Sequence, residues 1–262
     1  MNILFFGDIV GKVGRNVVID NISLLKEQYN IDFTIANGEN SAHGKGITSK
    51  IYRRLISSGV DCITLGNHSF AKNEIRLTIN ECPELIRPYN LEPQKLGNSY
   101  KIYFVNGKSI CVVNIMGQAF IERATQSPYD AMSDILEEVE ADYFFVDLHA
   151  ETTGEKIVFA NYFKDECVAV VGTHTHVQTA DERLIDNCAF ITDVGMCGAY
   201  DSILGRDTQE VISNLIYKEK TKYTISDNPA VLCAVVIEID DEKQVANKIT
   251  RIQIRPNSWF IL

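Results

Sequence analysis

The apolar run "CVAVVGTHTH", which starts at Cys167, ends in Gly172, Thr173, His174, Thr175 and His176. Two imidazoles one residue apart, where a strand should end, can each offer a lone pair to a cation. The chain has only five histidines, and two of them are here. The same kind of ending recurs. The apolar stretch 3–6 is followed by Gly7 and Asp8, 33–36 by Asn37, Gly38, Glu39 and Asn40, 63–65 by Gly66, Asn67 and His68, and 144–146 by Asp147, Leu148 and His149. In α/β sheets, ligands bind outside the carboxyl ends of the strands. Asp8, Glu39, Asn40, Asn67, His68, His149, His174 and His176 would converge there. One ion takes about four to six ligands, so this supply fits two ions sharing a bridge. Imidazole, carboxylate and amide donors without thiolate suit a hydrolytic pair of divalent or trivalent ions, iron or manganese first, with zinc or magnesium as alternatives.

Each residue also has a plainer reading. Asp8 could cap the helix that follows Gly11. Asn67 could be a left-handed turn residue. Glu39 could be a solvated loop acid, and a lone His149 a hydrogen-bonded core residue. Recurrence at five strand ends favours one metal site over five coincidences. Other motifs fail on spacing. "GDIVGKVG" has three residues between Gly7 and Gly11 where a phosphate-binding loop needs four, and Val13 where it needs Ser or Thr. "HGKG" (43–46) is no dinucleotide fingerprint. Neither H-E-x-x-H nor G-x-S-x-G occurs.

The elements that must position these residues alternate. Apolar runs at 3–6, 32–36 and 62–65 are separated by stretches with helical spacing (Val17, Ile19, Ile22, Leu24, Leu25; then Ile51, Leu55, Ile56), the pattern of buried strands between helices. Residues 87–100 read as an irregular loop. Strands at 101–105 and 110–115 are joined by "NGK", a hairpin signal. A helix over 129–140 is capped by Ser127 and Pro128. A strand at 143–149, a helix near 155–163 and strands at 168–174 and 189–195 follow, then a helix over 209–217. "YTISD", "AVLCAVVIEID" and "ANKITRIQIRP" alternate as antiparallel strands do. The expectation is one α/β domain over 1–262, a sandwich of mixed β-sheets flanked by helices.

Hydrophobic residues make up 45% of the 262, enough for a sizeable core. The formal charge of −10 argues against an extended nucleic-acid surface or an anionic membrane as partner. It leaves room for a small phosphorylated ligand held by metal ions. Seven cysteines, none in a C-x-x-C pair, read as reduced thiols of a cytoplasmic protein. "MNILFFGD" lacks the regions of a signal peptide and reads as a first strand. No run approaches the ~18 apolar residues of a membrane span.

The residues also carry a resemblance. "GD" after the first strand, "GNH" after the third, a later single His and "G-x-H-x-H" resemble the calcineurin-type metallophosphoesterases. "FFGDIVGKVGR", "ANGENSAHGKGIT", "TLGNHSF", "VDLHAETTGEK", "GTHTHVQTADER" and "DVGMCGAYDS" resemble the YmdB-like branch of that superfamily, over nearly the whole chain. The superfamily's D-x-H is absent, since Ile9 and Val10 follow Asp8. Its bridging Asp is replaced by Glu39. Both departures are features of the branch. The resemblance implies a metallophosphoesterase fold with one metal on Asp8, Glu39, Asn40 and His176 and another on Glu39, Asn67, His149 and His174. It implies His68 as general acid or leaving-group stabiliser, a bridging water made nucleophilic by the two cations, and small phosphodiesters such as 2′,3′-cyclic nucleotides as substrates. Homo-oligomers are also consistent with it. "SF-A" after "GNH" departs from the Trp-Asp often found there, which bears on loop contacts. His43 stays outside the ligand set.

Residues 192–205 are either a pocket wall or a glycine-rich turn. Arg53, Arg54 and the stretch 218–222 read as solvated faces, and the ending "SWFIL" as an edge strand or subunit contact. Two rival functions remain: a phosphomonoesterase such as a nucleotidase, and a metal-dependent regulator without turnover.

Overall fold

The architecture is that of a computed structural model describing residues 1–256. The expected terminal strand at 258–262 lies outside the described residues. Strands β1 (Asn2–Phe6), β2 (Asp8–Ile9), β3 (Phe33–Asn37), β4 (Cys62–Thr64) and β5 (Leu85–Ile86) form one sheet with three later strands. Strands β6 (Tyr100–Val105), β7 (Lys108–Met116), β8 (Tyr143–His149), β9 (Ala169–Thr173), β10 (Arg183–Ile185) and β11 (Cys188–Ile191) form the other. The chain then returns to the first sheet with β12 (Met196–Ala199), β13 (Ala230–Asp240) and β14 (Val245–Ile254). The orders are β2-β12-β13-β1-β3-β4-β5, with β14 also on β13, and β10-β11-β9-β8-β7-β6. Both sheets are mixed, as expected.

Strand alternation explains the layering, because successive side chains point to opposite faces. In β1, Ile3 and Phe5 join Phe145, Val171 and Ile191 between the sheets. Leu4 and Phe6 face outward onto Val18, Ile22 and Leu25 of α1 (Gly11–Gln28) and Leu55 of α2 (Ser49–Ser57). The second sheet does the same. Val113, Val146 and Phe190 point away from the first sheet, onto helices α4 (Pro128–Glu138) and α5 (Thr153–Tyr162). The short α3 (Asn73–Thr78) lies between α2 and α4 in the chain. The rings of Phe5 and Phe145 meet across the sandwich with centroids 5.6 Å apart. Strands buried on both faces are why the sequence reads as apolar runs with no polar alternation.

Local signals behave as their chemistry requires. Ser127 caps α4 by accepting from Asp130 N–H, with Pro128 at the first position. Thr48 caps α2 by accepting from Ile51 N–H. Asn106 and Gly107 both have positive φ, as a two-residue hairpin turn demands. The last helix, α6 (Thr208–Leu215), is capped by Asp207. Two expectations need correction. The strand expected at 189–195 stops at Ile191, because residues 192–195 cross from one sheet to the other. "YTISD" pairs only through an isolated bridge of Ile225 to Arg206; its apolar residue plugs a loop instead of extending a sheet, with Ile225 against Gly11 and Gly44. All seven cysteines are free and buried. No helix among the described residues is long and apolar enough to cross a membrane.

Candidate metal centre

Parallel pairing brings the strand ends to one edge of both sheets. Phe6 of β1 lies opposite Ala36 of β3, Asn37 opposite Thr64 of β4, and His149 of β8 opposite Thr173 of β9. Asp8 follows β1 as the first residue of β2, which excludes it as the cap of α1; that position is Val10. Asp8, Glu39 and His149 are fully buried and Asn40 nearly so. Asn67, His68, His174 and His176 are half-buried at the rim.

The contacts fall into two groups. His149 Nε2 lies 3.1 Å from Asn67 Oδ1, 3.1 Å from Glu39 Oε2 and 2.9 Å from His174 Nδ1. His176 Nε2 lies 3.3 Å from Asn40 Oδ1 and 3.9 Å from Asp8 Oδ1. The two histidines one residue apart thus face different groups. Their backbone explains how: His174 has φ 100° and His176 φ 66°. Left-handed backbone in a bulky ring-bearing residue is strained and persists only where the surroundings fix it. Here His174 N–H donates to Asp8 Oδ2 (3.1 Å) and Thr175 N–H to Asp193 Oδ2 (3.1 Å).

The protons in this cluster can be placed. Thr173 donates its one hydroxyl proton to Asp147 (2.7 Å), so its oxygen accepts from His149 Nδ1–H (2.9 Å). His174 Nε2 lies 3.0 Å from the Glu151 carboxylate, and His176 Nδ1 lies 3.0 Å from the carbonyl of Leu204. Each imidazole therefore spends its N–H on an oxygen outside the cluster. With His149 neutral, that leaves the lone pairs of His149 Nε2 and His176 Nε2 aimed at amide and carboxylate oxygens and that of His174 Nδ1 aimed at His149 Nε2. Asn40 is fixed the same way, its Nδ2 donating to Gly44 O (3.0 Å) so that Oδ1 faces His176. Asp8 Oδ1 and Glu39 Oε2 are buried without a hydrogen-bond partner. Lone pairs gathered around lone pairs call for a cation. Histidine ligands tied by their second nitrogen to an oxygen are the usual arrangement of a metal site. Donor atoms bonded at about 2.1 Å to one ion and about 90° apart stand about 3 Å from each other, and most contacts in this cluster are that long. Among the described residues, no three His, Cys, Asp or Glu side chains form a ready metal-holding arrangement by themselves; amide oxygens belong to both groups.

The electrostatics describe the same cluster with a proton in place of a cation, carried by His149 Nε2 facing the Glu39 carboxylate at 3.1 Å. Burial would lower the His149 imidazolium, but the Glu39 carboxylate overrides it and holds the group up at about 9. Burial would raise Glu39, and the imidazole of His149 outweighs it and holds it below the ordinary range. His174, desolvated and beside His149, falls to about 3. Burial raises Asp8, against the pull of His176 and His149. His68 is lowered by burial, against the pull of Glu39, with Lys45 and Arg123 pushing it down further.

Sequence reasoning missed the frame behind these groups. Asp147, pushed up to about 6 by burial, accepts from Thr64, Asn37 and Thr173 at 2.5, 2.9 and 2.7 Å and so ties the two sheets together. An Asp two residues before His149 on one strand shares its face, which was the available signal. Lys156 and Asp193, both fully buried, pair at 2.8 Å; Lys156 also donates to Thr173 O at 2.8 Å, and Asp193 holds Thr175 N–H. Lys156→Ala would leave Asp193 as a buried uncompensated charge. Denaturant unfolding should show a loss of about 3–5 kcal/mol, and an unchanged midpoint would mean the pair carries no stability. Residues 192–205 brace the histidine turn from behind, through Asp193 and Leu204. His43 is exposed and lines a separate cavity with Lys12, Arg15 and Lys222.

Residues 4–252 match the family described as YmdB-like protein. A 2′,3′-cyclic-nucleotide 2′-phosphodiesterase of Bacillus subtilis (strain 168) is 43% identical over 263 residues, 99% of this chain and 99% of that protein. A solved structure described as a novel phosphatase from Mycoplasma pneumoniae matches with a TM-score of 0.92 at 34% identity, over 97% of this chain and 93% of that one. The structure of a hypothetical protein from Thermus thermophilus matches with a TM-score of 0.90 at 33% identity, over 97% of this chain and 99% of that one.

Proposed function

This chain belongs to the YmdB-like family, and from that premise we propose that it is a phosphodiesterase that opens 2′,3′-cyclic nucleotides at a centre of two metal ions. The observation that carries the proposal is the set of inward lone pairs on His149, His174 and His176 around the partnerless oxygens of Asp8 and Glu39. One ion would take Asp8, Glu39, Asn40 and His176, the other Glu39, Asn67, His149 and His174, with Glu39 shared. Iron or manganese fits this mixed donor set best. Bound there, two cations lower the pKa of a water and neutralise phosphate oxygens as charge builds. The free, buried cysteines agree with a reducing cytoplasm.

The chain's own residues do the rest. Glu39 and Asp8 hold negative charge between the imidazoles. Thr173, Glu151 and the Leu204 carbonyl keep each ring in one tautomer. His68 stands on the rim of a cavity of about 300 Å³ that also touches Asn67 and His174. Burial keeps its imidazole below the ordinary range, and its place on the rim suits a general acid or a hydrogen-bond donor to the leaving oxygen. His68→Ala should retain both ions and lose about 10²–10³-fold in kcat on a cyclic nucleotide, the usual cost of removing one such donor. A nitrophenyl diester, whose leaving group needs little help, should suffer less. Equal slowing of both substrates would remove the leaving-group role.

The direct assay uses metal-loaded protein with 2′,3′-cyclic AMP and 5′-AMP. Consumption of the cyclic diester with little action on 5′-AMP is the expected result. Preference for 5′-AMP would make the chain a phosphomonoesterase, and turnover of neither would make it a binding protein.

A further inference from the structure

The turn between β7 and α4 brings an aromatic ring to the candidate centre. Phe120 is 90% exposed, yet it lines the same cavity as His68 and His174. The turn that carries it is tied down at both ends. Buried Asn90 staples both ends of the turn: its Nδ2 donates to Met116 O (2.7 Å) and Gln126 O (3.1 Å), and its Oδ1 accepts from Met116 N–H (2.9 Å). Thr125 N–H donates to Asn90 O (2.9 Å), and Gln118 N–H donates to the Glu155 carboxylate (2.9 Å). Ile121, next to Phe120, is buried in the core. Within this clamped frame Phe120 has φ 62° and Arg123 φ 87°. Two non-glycine residues in left-handed backbone cost of order 1–3 kcal/mol each and cluster where a site needs them.

Among the described residues, no hydrogen bond, ion pair or stacked ring takes up what the turn presents. Among the described residues no ring or cation stacks on Phe120, and no hydrogen bond or ion pair holds the Arg123 side chain. A cation and a bare aromatic face share a cavity with Asn67 and His174, assigned to one metal ion, and with His68, assigned to the leaving oxygen. We infer that this turn is a nucleotide-recognition subsite, in which Phe120 stacks on the base of the substrate and Arg123 faces its phosphate. The inference rests on the phosphodiesterase reading and adds to it the residues that would recognise the nucleobase of the substrate. Any base presents a π-face, so the subsite should favour nucleotides over base-free diesters without choosing strongly among bases.

The test compares 2′,3′-cyclic AMP with ribose 2′,3′-cyclic phosphate, which has the same reacting bond and no base, on the metal-loaded full chain. The wild type should prefer the nucleotide. Phe120→Ala should lower kcat/KM for the nucleotide by about 5- to 150-fold, the range for loss of one base–aromatic stack, mostly through KM. It should leave the base-free substrate unchanged, and Phe120→Trp should restore the preference. Arg123→Ala should slow both substrates alike. Equal wild-type rates on the two substrates, or a Phe120→Ala loss shared by both, would overturn the subsite. If the wild type hydrolyses neither substrate, the phosphodiesterase reading itself fails, a distinct result.

Discussion

Glu39→Gln should reduce turnover by at least ~10³-fold, on the order of 4 kcal/mol of transition-state stabilisation, and should weaken binding of both ions. The carboxylate is fully buried, it is the one candidate ligand assigned to both groups, and its Oε2 stands 3.1 Å from His149 Nε2. Glutamine keeps the volume and removes the charge where two cations would repel each other. The local backbone should survive, because Glu39 N–H donates to Asn37 Oδ1 (3.0 Å) independently of the side chain. A second readout needs no metal. The His149 imidazolium is held at about 9 chiefly by Glu39 working against burial. Removing that charge must lower it, since burial then goes unopposed by its main partner. Titration of His149 by NMR in the metal-free variant should show the fall. Full activity in Glu39→Gln, or an unmoved His149, would remove Glu39 from the centre.

Gly66→Ala should be nearly as damaging, for a steric reason. A Cβ at Gly66 would stand 1.6 Å from Glu39 Oε2 and 2.4 Å from His149 Nε2. Neither group can retreat easily. His149 is held by its Nδ1 on Thr173 and by burial, and Glu39 sits in the same packed wall. The methyl group would fill the space between the donors. Activity should fall by a factor on the order of 10² or more, with reduced metal content. Overpacking should cost ~1–3 kcal/mol in unfolding experiments, so the fold should persist. Wild-type activity would mean that the space beside Gly66 is not used.

Much of this was legible in the chain because two simple rules governed it. Buried strands had to read as apolar runs, and the residues just after them had to be those at the sheet edge. Asp8, Glu39, Asn40, Asn67, His149, His174 and His176 stand out as candidates that way and lie together at the sheet edge, with His68 on the rim of the adjoining cavity. What escaped was chemistry that depends on contacts distant in sequence. Asp147 reaches Asn37, 110 residues away, and Lys156 reaches Asp193, 37 residues away; each looks like an ordinary strand or helix residue until the sheets pack. The crossing at 192–195 read as a strand extension because its direction is set by the second sheet ending there. Phe120 sat in an irregular stretch with no periodicity to give it a face. Its role depends on a left-handed turn held by Asn90, which composition does not show.

The central claim is that seven side chains hold two metal ions, and counting the ions tests it most directly. Protein purified without chelator, analysed for iron, manganese, zinc and magnesium against protein concentration, should contain two ions per chain. Glu39→Gln and His174→Ala should contain fewer, and His68→Ala should still contain two. A fully active wild type with one ion per chain, or with none, would contradict the account.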